Sequence, residues 1–357
     1  MERFSRPNKS LYVCFIILIL MLPTVSLIVP ARNEEEYIEN CIKSILNSNY
    51  PKDKLEVIVA IDGSKDKTLE ICKKFEPKIK IFESKPKRCK AETLNEVWPK
   101  AKGEIIAIFD ADCVLDKNCL IEAVKNFSKE NVDGVSGTIK TYNKEQFFPR
   151  IISLETTFTS FIEYVLSKFG ANPHFLGKNM FIRKNVLEEI GGFDEFSFLE
   201  DIELSLRMKR NRYKVVFESK AITWQNETKN FRFFFNQRKR WARGTFRIKK
   251  LKMQNSIKSW LSDLMHAIPY YISPFGLMVL TILIIAFYLS SPIIFILPLL
   301  LFFFFNLGLI VYSRIFYKEN FKDLVLFPLW FLLTNFYTFF IVPKAYIEEK
   351  RNKEMKW

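Results

Sequence analysis

The chain has 357 residues, 49% of them hydrophobic, with 36 phenylalanines and a formal net charge of +15. That is enough for one large or two modest domains with a sizeable core. Six cysteines without a C-x-x-C pair, beside two histidines, speak against a zinc site or a disulfide framework and fit a reducing compartment.

An uncharged run containing LYVCFIILILML lies between Lys9 and Arg32. Its last part, Val25 to Pro30, reads as a strand. About a dozen residues then remain, too few to cross ~30 Å of hydrocarbon as an untilted helix. Residues 1–24 are therefore expected to form an apolar anchor or interfacial helix. The next hundred residues alternate strands and helices. VSLIVP (25–30), LEVIVAI (55–61), KIKIF (78–82) and EIIAIF (104–109) are apolar runs of strand length. Between the first two, Tyr37/Ile38, Cys41/Ile42 and Ile45/Leu46 mark an amphipathic helix, which Asn33 is expected to cap with Glu36 in a capping box. Strands separated by helices predict an α/β domain on a mostly parallel sheet, with ligands at the carboxyl ends of the strands. Arg32-Asn33-Glu34, Asp62 and Asp110/Asp112 all fall at such ends. Further on, helices are expected near 150–168, from Glu200 and over Phe231–Gly244. Buried strands are expected around His174–Ile182 and Tyr213–Phe217. The domain is taken as 25–250.

From Glu203 to Lys258 there are 17 Lys and Arg against three Glu. Such a stretch suits anionic headgroups or diphosphates. No recognisable nucleic-acid module accompanies it, so no nucleic-acid partner is expected. Residues 251–357 form an interfacial segment and about three transmembrane helices. No charge occurs between His266 and Arg314, room for spans at 267–289 and 292–313 broken at Ser290-Ser291-Pro292. A third uncharged tract fits 324–343. Three spans place the tail opposite the catalytic domain, against the basic character of Lys344, Lys350 and Arg351. The loop with Arg314, Lys318 and Lys322 fits the cytoplasmic side.

Four clusters carry chemistry. Asp110-Ala111-Asp112 follows a strand, where two carboxylates reach a divalent cation such as Mg²⁺ or Mn²⁺, or merely satisfy a turn. Asp62-Gly63-Ser64 is a turn or a carboxylate for a nucleoside. Glu200-Asp201 opens a helix, as acidic residues commonly do, or supplies a general base. In Gln237-Arg238-Lys239-Arg240-Trp241, helical spacing puts Gln237, Arg240 and Trp241 on one face, suited to a diphosphate and a sugar ring. Arg238 and Lys239 are expected to point to a solvated or lipid-facing side. The same segment also reads as a membrane-surface helix with an aromatic anchor.

The ordered series VSLIVPARNEEEYIENCIKSIL, VIVAIDGSKDKT, KAETLN, GEIIAIFDADC, FLGKNMFIRKNVLEEIGGFDE, LEDIELSLRM and QRKRWARG resembles family 2 inverting glycosyltransferases of the processive, membrane-bound kind. Cellulose, hyaluronan and poly-N-acetylglucosamine synthases share the pattern, and ceramide glucosyltransferases are similar to it. The resemblance covers about residues 25–247 and implies a GT-A nucleotide-diphospho-sugar transferase fold. It assigns Asp62 to the uracil or ribose of a UDP-sugar, with Glu34 and Lys90 near the nucleotide. Asp110 would touch the diphosphate and Asp112 hold the metal. Asp201 would be the base beside Glu200, and Gln237, Arg240 and Trp241 would bind diphosphate and acceptor sugar. Leu199 stands where the motif usually has threonine, and Ile61 where many members have a second aspartate. The implied reaction takes a proton from an acceptor hydroxyl as it attacks the anomeric carbon, with inversion, and asks for no strongly raised pKa at Asp201. The expected enzyme is an integral protein of the cell membrane with its catalytic domain facing the cytoplasm. Its acceptor is a growing polysaccharide or a membrane lipid, with transfer of a single sugar to a lipid or polyprenyl-phosphate carrier as the alternative. A catalytically silent membrane scaffold is the competing class, against which Asp112 and Asp201 argue.

Overall fold

The structure is a computed structural model that describes residues 22–87, 89–252 and 310–351, with short helical pieces at 303–304 and 307–308. The expected helix within 1–24, the span 267–289 and most of 292–313 lie outside the described residues. An eight-stranded sheet runs in the order β3-β2-β1-β4-β7-β6-β8-β5. Its strands are β1 (Val25–Ala31), β2 (Leu55–Asp62), β3 (Lys80–Ser84), β4 (Ile105–Ile108), β5 (Cys113–Leu115), β6 (Gly134–Thr141), β7 (Met180–Arg183) and β8 (Val215–Gln225). Six of the eight strands share one direction; β7 and β5 oppose it.

The apolar runs are strands because both faces of the sheet are covered. Along β1, Leu27 and Val29 face Ile38, Cys41, Ile42 and Ile45 of α1 (Ile38–Leu46), all fully buried. Ile28 faces the other way, into a second core with Leu94 and Val97 of α3 (Lys90–Val97) and Ile106 and Ile108 of β4. Each such side chain adds about 1.5–3 kcal/mol of burial. The expected capping box is absent. The first turn of α1 starts at Ile38 without a side-chain cap. Asn33 instead takes φ 58°, and its Oδ1 accepts from the Lys65 N–H at 2.8 Å. Asparagine tolerates this left-handed backbone, and here it ties the loop after β1 to the loop after β2. Between α1 and α3 lies α2 (Thr68–Lys73), and α4 (Cys119–Val124) follows β5. The long α5 (Phe147–Lys168) precedes β7, then come α6 (Lys184–Ile190), α7 (Glu200–Arg210) and, after β8, α8 (Phe231–Lys252). The strand expected around His174–Ile182 is only β7; residues before it form a loop.

No helix among the described residues is long and apolar enough to cross a membrane. The third expected span, 324–343, is divided among a 3-10 turn (Phe321–Leu326), α9 (Phe327–Phe336), a π-helical turn (Tyr337–Ile341) and the start of α10 (Val342–Lys350). Both ends of this run are tied to helices of the sheet domain. At one end Asp323 pairs with Arg150 of α5 at 2.5 Å. At the other, Glu348 meets Lys239 at 3.3 Å and Glu349 meets Arg243 at 3.2 Å, both on α8. Between them Phe327 and Trp330 pack on Ile151 and Leu154 of α5, and Tyr337, Ile341 and Ala345 pack on Ala242 of α8. A helical run held by one domain at both ends lies along that domain.

Arg314, expected in a short loop on the cytoplasmic side, belongs to the same joint. It is 0% exposed and donates to Asp323 at 3.1 Å, Glu319 at 3.4 Å and Ser153 Oγ at 3.2 Å. Burial opposes ionisation of Glu319, but Lys144, Lys140 and Arg314 hold its carboxyl below the usual value. Arg314→Ala leaves Asp323 with Arg150 and Glu319 with its two lysines. The expected cost is therefore at the low end for a broken buried pair, roughly 3 kcal/mol. Thermal unfolding in detergent should show a midpoint lower by about 5 °C; an unchanged midpoint would mean the segment does not dock through this ion.

Candidate active site

The carboxyl ends of β1, β2, β4 and β8 meet at one cavity of about 570 Å³. Asp62, at the end of β2, is 3% exposed. Its Oδ1 accepts from the Lys87 N–H at 2.7 Å, and its Oδ2 lies 3.6 Å from Arg32. Burial raises its pKa despite these contacts. Gly63 takes φ +54°, and a Cβ there would strike Pro86 Cγ at 2.4 Å, so the turn after Asp62 needs glycine. Glu34, after β1, is pushed up to about 8 by burial and by the charges of Asp112 and Asp110.

Lys90 opens α3 and is the hub of the site. Its Nζ donates to Asp110 at 2.6 Å and to the Gly177 carbonyl at 3.0 Å, and lies 3.1 Å from Glu200. Burial disfavours the ammonium, yet Asp110 and Glu200 raise its pKa above the ordinary lysine value. Burial likewise works against Asp110, but Lys90, Lys178 and, beyond them, Arg240 hold that carboxyl low. Asp112 goes the other way: burial lifts it and Lys178 compensates only in part. Lys178, between β6 and β7, stands 4.0 Å from Asp110 and 3.8 Å from Asp112.

Asp201, in the first turn of α7, is raised to about 7 by burial and by the neighbouring charge of Glu200. The implied mechanism does not require such a shift; burial in the cavity wall supplies most of it. Room for Asp201 comes from Gly177. That residue has φ +66°, and a Cβ there would meet Asp201 Oδ2 at 2.6 Å. From α8, Gln237, Arg240 and Trp241 all line the cavity, as their spacing implies. Arg238 lines it too, against expectation. It is 7% exposed, pairs with Glu155 at 2.9 Å and stacks over Trp241 at 4.2 Å. Lys239 and Arg243 are neutralised by α10, as described above, and so are not spare charges for a lipid surface. Helical spacing located the face but could not show that α5 and α10 supply its carboxylates.

Among the described residues no group of three or more carboxylates, thiols and imidazoles could enclose a metal alone. A divalent ion that takes part of its shell from a diphosphate needs fewer protein oxygens. Glu34, Asp110 and Asp112 line one side of the cavity. Besides burial, Asp112 and Asp110 raise the carboxyl of Glu34 and Asp110 raises that of Asp112, so this cluster of oxygen donors fits such a cation.

The model of the glycosyltransferase-like family 2 matches residues 23–244. The chain belongs to this family. A probable glycosyltransferase, YdaM of Bacillus subtilis, is 33% identical over 235 residues, covering 62% of this chain and 55% of its own. A beta-monoglucosyldiacylglycerol synthase of Nostoc sp. is 29% identical over 63% of this chain and 49% of its own. A poly-beta-1,6-N-acetyl-D-glucosamine synthase of Staphylococcus epidermidis is 27% identical over 66% and 58%. The chain thus matches about half the length of these relatives. Its fold is similar to that of a mannosyltransferase from Pyrobaculum calidifontis solved with GDP-Man and Mn2+, with TM-score 0.57, 19% identity and coverage of 97% of this chain and 95% of that one. The protein is therefore a member of glycosyltransferase-like family 2 with a GT-A-like domain.

The departure at Leu199 has a packing reason in this glycosyltransferase. Leu199 precedes α7 and is 6% exposed. A Cβ on Gly244 of α8 would touch its Cγ at 2.7 Å. Leu199 also clusters with Ile248 and Trp241. An apolar side chain here docks the helix of Asp201 directly on the helix of Trp241. Lys178 and Glu227 escaped the sequence reading as site residues, although both line the cavity. Lys178 sat unexamined inside FLGKNM; Glu227 follows β8 with no motif to flag it.

Proposed function

We propose that the protein is a membrane-associated inverting transferase that moves a sugar from a UDP-sugar to a hydroxyl of a membrane-bound acceptor. The convergence of Asp62, Lys90, Asp110, Asp112 and Asp201 on one cavity carries this reading. Asp62 and Glu34 face the nucleoside side. Lys178, Arg240 and Lys90 concentrate positive charge where the leaving diphosphate gathers negative charge. Asp201, on the other side of Lys90, takes the acceptor's proton as the oxygen attacks from the face opposite the diphosphate. Asp112, with Asp110 beside it, would hold Mg²⁺ or Mn²⁺, which when bound adds electrostatic stabilisation of the leaving group. The uncharged tracts at 267–289 and 292–313 support membrane attachment, with the catalytic domain on the cytoplasmic side. Extension of a polysaccharide is the second reading, favoured by Gln237, Arg240 and Trp241 on the cavity wall.

The test is nucleotide release by the full chain in nanodiscs, offered UDP- and GDP-sugars with Mn²⁺ and then EDTA. Release from one UDP-sugar, reduced at least tenfold by EDTA, is expected. Turnover of no donor under any acceptor would sink the assignment.

A further inference from the structure

The cavity lining extends well past the residues assigned to the donor. Beyond Asp201 it continues between α5, α8 and α9, where its wall is Ile151, Ile152, Phe158, Phe234, Trp330 and Leu333. Phe233, which is 70% exposed, also lines the cavity. This wall adjoins a helical run whose outer side is also apolar: Val325, Leu329, Leu332, Phe336 and Phe340 follow at helical spacing and are 74%, 42%, 64%, 39% and 63% exposed. An apolar chamber therefore joins an apolar surface to the catalytic carboxylate. Among the described residues, the chamber wall carries a buried polar atom to satisfy at Trp330. Trp330 is 5% exposed, and its Nε1 has no hydrogen-bond partner. A buried donor of this kind wants an acceptor oxygen.

Charge narrows the ligand further. The guanidinium that lines this side, Arg238, is already paired with Glu155. The Thr156 hydroxyl donates to Glu227 at 3.4 Å, which places another carboxyl at the junction. A lipid phosphate entering here would meet the carboxyls of Glu155, Glu227 and Asp201, while Arg238 is committed to Glu155, Lys90 to Asp110 and Glu200, Lys178 stands by Asp110 and Asp112, and Arg240 serves the leaving diphosphate in the reading above. A phosphate acceptor is also ionised already and has no proton for Asp201 to remove, whereas a neutral alcohol needs that base.

Resting on the transferase reading above, we infer that the acceptor is a neutral lipid alcohol, with its acyl chain in the chamber between α5, α8 and α9 and its hydroxyl at Asp201. The oxygen attacks the anomeric carbon, the bond from that carbon to the diphosphate breaks, and the hydroxyl proton passes to the carboxylate. The Trp330 indole N–H donates to an ester carbonyl of the lipid.

The test is photo-crosslinking of the full chain in phosphatidylcholine nanodiscs, with a diacylglycerol carrying a diazirine at the end of one acyl chain. Label is expected on residues of the 151–158 and 330–334 segments, competed by unlabelled diacylglycerol and at least tenfold less well by a polyprenyl phosphate. In parallel, Leu333→Glu should raise the KM for diacylglycerol at least tenfold with kcat retained. Label confined to the outer stripe, or equal competition by the lipid phosphate, would overturn the inference. Equal or better transfer to a soluble oligosaccharide would overturn it too. Chamber labelling without turnover of any nucleotide-sugar would instead refute the transferase reading and leave the lipid site standing.

Discussion

Asp201→Asn is expected to lower sugar transfer by about a hundred- to ten-thousandfold, the range for loss of a positioned general base. The amide keeps the size and the Ile202 N–H contact of the carboxylate, seen at 2.8 Å, but cannot take a proton. Donor affinity should change little, because the nucleotide side of the cavity is built from Asp62, Lys90 and Asp110. The pH profile gives an independent check. A carboxyl raised to about 7 holds its proton below that pH, so the active ionised fraction falls as pH falls. The value of kcat/KM should therefore rise about tenfold per pH unit below neutrality and level off above it. Part of the shift comes from the charge of Glu200, so Glu200→Gln should move the acid limb to lower pH. A profile flat from pH 5 to 8, or an Asp201→Asn variant with normal turnover, would remove Asp201 from the role of base.

Lys90→Met is expected to be the most destabilising change in the site. Lys90 is 8% exposed and serves two carboxylates and a carbonyl at once. Methionine matches its length but leaves Asp110 without its nearest cation and Glu200 without any cation seen in contact. Removing one partner from a buried charged set costs about 3–5 kcal/mol. Chemical unfolding should register that loss, and donor binding should weaken with it because Asp110 loses its orientation. The double variant Lys90→Met/Glu200→Gln should recover part of the stability, since one orphaned charge has been neutralised. Additive losses in the double variant would show that the two side chains are not coupled.

Much of the fold could be read before any coordinates. The runs at β1, β2 and β4 are uniformly apolar because both faces of the sheet are covered, and that pattern survives in one dimension. The carboxylates at their ends follow from strand direction, so Asp62, Asp110 and Asp112 were placed together correctly. Asp201 and the Gln237–Arg240–Trp241 face came from motif order and helical spacing, and the cavity brings them together. What failed depended on partners distant in sequence. Asn33 was read as a helix cap because local rules see only the next three residues, whereas its partner is Lys65. Arg238 was placed on a solvated or lipid-facing side because nothing near it announces Glu155. Arg314 was read as a loop charge, although Ser153 and Asp323 enclose it. For the expected span 324–343, hydropathy likewise does not record that Asp323 and Glu349 tie its flanks to α5 and α8.

That last attachment bears on how the enzyme can be handled. Cutting the gene after the motif-bearing helix would yield a tidy soluble fragment by sequence criteria. It would also unroof the cavity, expose Ile151 and Leu154, and strand Arg150, Lys239 and Arg243 without their carboxylates. The boundary of the working unit is therefore set by a clasp that reaches more than a hundred residues past the last recognisable motif, and a fragment trimmed to the family match would be a different molecule.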